Sequence, residues 1–170
     1  MTFAGGRKCV GTGFMISENI MVTAAHCVYR KSRRPLGPAH TIEACFGYEN
    51  GNLRERRYGE VVLTSKEWMD RGSDPTRDIA VVRLSPRSTY SAQWPLRPFQ
   101  PAKIDSPDEG WLFVVGHPTD RGDGGKNMQE GSGYVRWDFS GVEQRLPYDI
   151  STHRGKFPPY TFQSALIPHD

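Results

Sequence analysis

No stretch of this chain repeats apolar residues every three or four positions for long enough to bury one face of a helix. Its apolar residues fall into short runs, and turn-forming residues stand between them. With 18 glycines, 13 prolines and only 36% hydrophobic residues, a helical bundle has too little to work with. The pattern fits an all-β protein of short strands and many turns. A length of 170 residues allows one ordinary domain or two small lobes.

Val10 to Ile16 reads as a strand, Ser17-Glu18-Asn19 as a turn, and Ile20 to Thr23 as the return strand of a hairpin. Ala24-Ala25-His26-Cys27 reads as a short helical turn, and Tyr29 to His40, with Pro35, Gly37 and Pro38, as a loop. Further strands are expected over Thr41–Phe46, Tyr58–Thr64 and Asp78–Leu84. The segment from Pro86 to Pro101 also holds Pro95 and Pro98, and it reads as a connector between two lobes. Beyond it, strands are expected over Trp111–Val115, Gly133–Phe139 and Val142–Leu146, and the pattern is lost from Gly155 onward. The expected division is 1–100, 101–155 and an unmatched tail at 156–170.

A formal net charge of +3 does not call for nucleic acid or an anionic membrane. Two basic clusters, Arg30-Lys31-Ser32-Arg33-Arg34 and Arg54-Glu55-Arg56-Arg57, read as solvated loops, since neither is interleaved with aromatic residues. No run reaches the roughly 18 apolar residues that span a bilayer. The N-terminus shows no export signal, so the chain is either made without one or lacks an upstream segment. Cys9, Cys27 and Cys45 allow one disulfide and one leftover thiol, and their spacing makes a poor zinc site. Neither a metal nor another cofactor is expected.

Two motifs carry chemistry. In Val22-Thr23-Ala24-Ala25-His26-Cys27, small alanines let the backbone turn tightly and hold an imidazole rigidly. In Thr76-Arg77-Asp78-Ile79-Ala80-Val81-Val82-Arg83-Leu84, a carboxylate stands at the mouth of an apolar strand, anchored by it. These resemble the histidine and aspartate boxes of the trypsin-like serine peptidases, in which the histidine precedes the aspartate. The resemblance implies that His26 is the general base and that Asp78 fixes its tautomer and stabilises the imidazolium. It also implies a Cys9–Cys27 disulfide that staples the histidine turn to the preceding hairpin. Closing a loop of about 18 residues contributes about 3 kcal/mol in the chain-entropy model.

The serine is missing. Arg121-Gly122-Asp123-Gly124-Gly125-Lys126 lacks a serine and reads as a hairpin loop, its RGD a weak adhesion signal. Ser132, between Gly131 and Gly133, reads as a turn entering a strand. Val115-Gly116-His117-Pro118 and Tyr148-Asp149-Ile150-Ser151-Thr152 resemble the glutamyl-endopeptidase-like branch, where the second segment leads into G-x-S-G-[SA]-P. In that register Gly155 is the first glycine, Phe157 stands at the serine, and Pro158 removes an amide from the oxyanion cradle. The break resembles a frameshift, an unspliced intron or a mis-joined exon more than gradual divergence. Ser164 lies in the unmatched tail and is no substitute. Thr152 matches a substrate-pocket threonine of the branch, which leaves cleavage specificity open.

The resemblance implies two antiparallel β-barrels, the second incomplete here, with open strand edges and poor solubility as the consequence. It implies a secreted serine endopeptidase acting on protein or peptide substrates as a monomer, without nucleic acid or membrane. This chain is expected to be inactive. The alternative is a catalytically dead pseudo-peptidase that binds protein partners through the unchanged cleft.

Overall fold

The computed structural model of the protein describes residues 1–31, 35–47, 49–71, 74–87, 109–116 and 127–136. The chain divides into two compact units, Met1–Gln100 and Pro101–Asp170. Among the described residues the first unit holds seven strands, two short α-helices and two 3-10 turns, and the second holds two strands.

In the first unit, β1 (Gly13–Met15) and β2 (Ile20–Thr23) form the expected hairpin across Ser17–Asn19. The helical turn follows as α1 (Ala25–Val28). The segment expected as loop from Tyr29 is instead a two-stranded ribbon, β3 (Tyr29–Lys31) with β4 (Pro35–Pro38). A ribbon of two strands is all edge, so proline costs it little. Gly37 takes the positive φ of 57° that the turn chemistry disguised as loop. β5 (Glu43–Phe46), β6 (Glu55–Thr64) and β7 (Ala80–Leu84) complete an antiparallel sheet of order β1-β2-β7-β6-β5.

β6 makes this sheet curl. Its first half pairs with β5 and its second half with β7, and the register shifts between Gly59 and Val61. Such an irregularity bends a strand and sharpens its twist. Gly59 is required at the bend, because a Cβ there would meet Ile42 Cβ at 2.9 Å and Val82 Cγ1 at 3.0 Å. Met15, Ala24, Ala25, Cys27, Val28, Ile42, Ala44, Trp68, Ala80, Val82 and Leu84 make up the buried core. The alternation of β7 shows how the pleat selects them. Ala80, Val82 and Leu84 are buried, whereas Val81 and Arg83 face the other side. Between β6 and β7, α2 (Lys66–Arg71) starts where Ser65 Oγ accepts the Trp68 amide at 3.1 Å, a serine N-cap. Trp68 packs into the core, and its indole donates to the Tyr29 carbonyl at 3.2 Å.

The cluster Arg54–Arg57 is not a solvated loop throughout. Arg54 precedes β6, while Glu55 to Arg57 open that strand, so their side chains alternate. Arg56 points out and pairs with Glu43 at 3.0 Å, while Arg57 points in and is only 1% exposed. Arg57 donates from Nε to the Ser85 carbonyl at 2.7 Å and from Nη1 to the Glu18 carbonyl at 2.6 Å. The guanidinium thereby ties the β1–β2 turn to the end of β7. In the first cluster, Arg30 Nε donates to the His26 carbonyl at 3.3 Å and its guanidinium lies over the Phe3 ring; Ser32 to Arg34 fall outside the described residues.

In the second unit, β8 (Glu109–Gly116) pairs antiparallel with β9 (Gln129–Arg136). Trp111 and Tyr134 sit opposite each other, ring edge to ring face at 5.9 Å. β9 begins before the expected Gly133, because pairing with β8 carries the strand through Gly131 and Gly133 despite their weak strand preference. The strand expected over Val142–Leu146 lies outside the described residues.

Core assignment can be checked by a pair of leucines. Leu84→Ala, at a position 1% exposed, is expected to lose about 2–5 kcal/mol in denaturant unfolding. Leu63→Ala, at a position 65% exposed, should stay within about 0.5 kcal/mol. Equal losses would mean that the Leu84 face is not the core.

Candidate active site

β2 and β7 are antiparallel neighbours, with Thr23 opposite Ala80. The chain leaves β2 at Thr23 and turns through Ala24 into α1, which carries His26. Asp78 stands just before Ala80, the first residue of β7. Both residues therefore reach the same end of the sheet. Thr23 is itself buried and pinned, its hydroxyl donating to the Thr12 carbonyl at 2.8 Å.

The approach to Asp78 is also built. Asp74 Oδ1 accepts the Thr76 amide at 2.9 Å and the Thr76 hydroxyl at 2.6 Å, opening a 3-10 turn over Pro75–Arg77. Reading this chain for strands alone passes over that turn. The Asp-Pro pair is the signal that could have found it.

Asp78 is buried, and both of its oxygens are committed to His26. Oδ1 accepts the backbone N–H of His26 at 2.8 Å, and Oδ2 lies 2.6 Å from the ring Nδ1. The carboxylate's side chain is 5% exposed and the imidazole's 24%. Asp78 engages Nδ1, so Nε2 is the ring nitrogen left for other chemistry. Burial pulls the imidazolium down, but the Asp78 hydrogen bond, a contact with Cys27 and the charge of both partners outweigh it, raising His26 from 6.5 to about 10.

The expected Cys9–Cys27 disulfide is not formed. Both residues are buried as free thiols. The Cys27 sulfur is packed onto the backbone of Gly11, where an added Cβ would stand only 2.5 Å from it. Stapling of the histidine turn to the hairpin therefore comes from packing and from the Thr23–Thr12 hydrogen bond. Cys45 is exposed, and its thiol donates to Glu43 Oε1 at 3.7 Å; partial burial pushes that thiol up.

Ser132 lies within β9, opposite Phe113, so it stands in a paired strand and not in a glycine-rich loop. Val115 and Gly116 end β8, while His117 and Pro118 are outside the described residues. Thr152, Gly155, Phe157, Pro158, Ser164 and the Arg121–Asp123 tripeptide are also outside them. Among the described residues, no group of three His, Cys, Asp or Glu side chains is placed to hold a metal ion. No helix among them is long and apolar enough to cross a membrane, which leaves strand-built spans unaddressed.

The model of the trypsin-like peptidase domain matches residues 11–156. Among solved structures, the protease Anisep from Arthrobacter nicotinovorans is similar, with a TM-score of 0.62 and 17% identity over 80% of this chain and 62% of that one. A Glu endopeptidase in complex with MPD gives a TM-score of 0.59 and 15% identity, over 80% of this chain and 59% of that one. The thermostable serine protease AL20, from an extremophilic microorganism, gives 0.57 and 18% over 77% and 61%. At these identities the likeness shows the fold, a trypsin-like all-β architecture, and the chain spans about 60% of the length of these structures. No curated protein matches the chain. The domain match covers most of the sequence, and the chain belongs to the trypsin-like peptidase domain family.

Proposed function

We propose that His26 and Asp78 are the general base and the orienting carboxylate of a serine endopeptidase site, and that this chain by itself does not hydrolyse peptides. The double contact between them carries the reading: Asp78 holds the ring at Nδ1 and the backbone at the amide, at 2.6 and 2.8 Å. A carboxylate used in this way fixes one tautomer and leaves Nε2 to take a proton from an attacking hydroxyl. Acyl transfer then needs a serine in reach of Nε2 and amides that stabilise the oxyanion.

Read in the register of the glutamyl-endopeptidase-like branch, the sequence supplies neither at the expected positions. Phe157 takes the serine position in the register of the glutamyl-endopeptidase-like branch, and Pro158 has no amide to give. The Asp78 carboxylate stabilises the protonated ring as an ion pair, which raises His26 above its ordinary 6.5.

Protein or peptide substrates, an extracellular location and the role of Thr152 in a substrate pocket belong to this reading. So does the division into a barrel at 1–100 carrying both residues and a partial one at 101–155. The Glu endopeptidase among the solved structures supports a related substrate class and leaves the cleaved residue open.

A fluorophosphonate probe, which labels activated serines, is expected to leave the chain unlabelled. Covalent label at Ser132 or Ser164 would overturn the inactive reading. The ion pair has its own signature. His26 should titrate well above 6.5 by NMR, and Asp78→Asn should lower its midpoint by at least ~1 unit, since the hydrogen bond and charge that oppose burial are lost. Because the folded value is raised, the stability it contributes is fully present below pH 6.5 and is lost as pH rises through about 10. Stability that stays flat across that window, or an unshifted midpoint in Asp78→Asn, counts against the pair.

A further inference from the structure

Asp78 sits at the centre of a very tight turn. The Ile79 amide donates back to the Arg77 carbonyl at 2.8 Å, closing a three-residue loop around the aspartate. The next peptide, Ile79–Ala80, joins that turn to β7. The Ile79 carbonyl lies just outside the β6–β7 ladder, which begins at the Thr64–Ala80 pair. It accepts instead from the side chain of Thr64, Oγ1 to O, at 2.9 Å.

Thr64 is the last residue of β6, after Val61, Val62 and Leu63. A strand here would accept another aliphatic residue as readily, since β-branched valine has threonine's shape. The hydroxyl is what valine lacks, and here it holds the carbonyl of the residue after Asp78. An aspartate whose oxygens must meet an amide and a ring nitrogen at once tolerates little rotation of its backbone.

We propose that Thr64 is a positioning residue for Asp78: by holding the Ile79 carbonyl it fixes the turn that aims the carboxylate at His26. This rests on the reading of His26 and Asp78 as the catalytic pair, and it assigns that pair a support from the neighbouring strand. Thr64 does not touch the imidazole. It acts through the backbone.

The full chain with Thr64→Val, Thr64→Ala and Thr64→Ser tests this by NMR of the His26 ring. Thr64→Val should lower the His26 titration midpoint by ~0.5 unit or more and weaken the downfield Nδ1–H signal, as a loosened carboxylate contact requires. Thr64→Ala gives the same result if valine compromises folding. Thr64→Ser keeps the hydroxyl and should retain both signatures. A raised midpoint in the parent chain that stays unmoved in Thr64→Val and Thr64→Ala overturns the proposal, even where melting temperature falls. A parent chain whose His26 titrates at its ordinary value sinks the underlying pair reading instead.

Discussion

Asp78 spends one carboxylate oxygen on the His26 ring and the other on the His26 amide, and the end of the sheet is organised around that double acceptance. The contact depends on β2 and β7 being neighbours in a fixed register, Thr23 opposite Ala80. A slip of one residue would turn Ala80, Val82 and Leu84 away from the core and carry Asp78 off the histidine turn. Burying those side chains therefore selects the geometry of the site. Core and chemistry are set by the same ladder.

The other end of β7 has a different lock. Among the described residues Arg57 is the largest fully buried side chain, and it binds the Ser85 and Glu18 carbonyls that flank the strand ends there. Burial lowers its pKa, with Glu55 acting in the opposite sense. A buried charge is tolerated where it is hydrogen-bonded, and this one adds to the Leu84 amide on the Asn19 carbonyl in joining the β1–β2 turn to β7. One end of the sheet is thus closed by a cation on carbonyls, and the other carries an anion facing a histidine. The curl at Gly59 joins the two halves of β6 between these ends.

Much of this was legible in the sequence because it rests on local pattern. Ile20–Thr23 is a short apolar run that ends at the alanines of the histidine turn, so the strand, the turn and His26 could be placed together. Asp78 could be placed from the apolar strand behind it. Features that depend on tertiary partners were not legible. Arg57 looks like any arginine in a basic run until β6 is known to turn it inward. The β3–β4 ribbon is disguised by its prolines and glycine, and six residues of α2 are too few for a helical period to show. Cys9 and Cys27 suggest a bridge by likeness, but sulfur placement follows from how α1 packs on Gly11, which no motif encodes.

The imidazole and the carboxylate stabilise each other and are not merely close. A double-mutant cycle on His26→Ala and Asp78→Ala, read by denaturant unfolding at neutral pH, measures this directly. The two losses are expected to be non-additive, with a coupling of about 0.5–3 kcal/mol. Losses that add to within about 0.3 kcal/mol would contradict it.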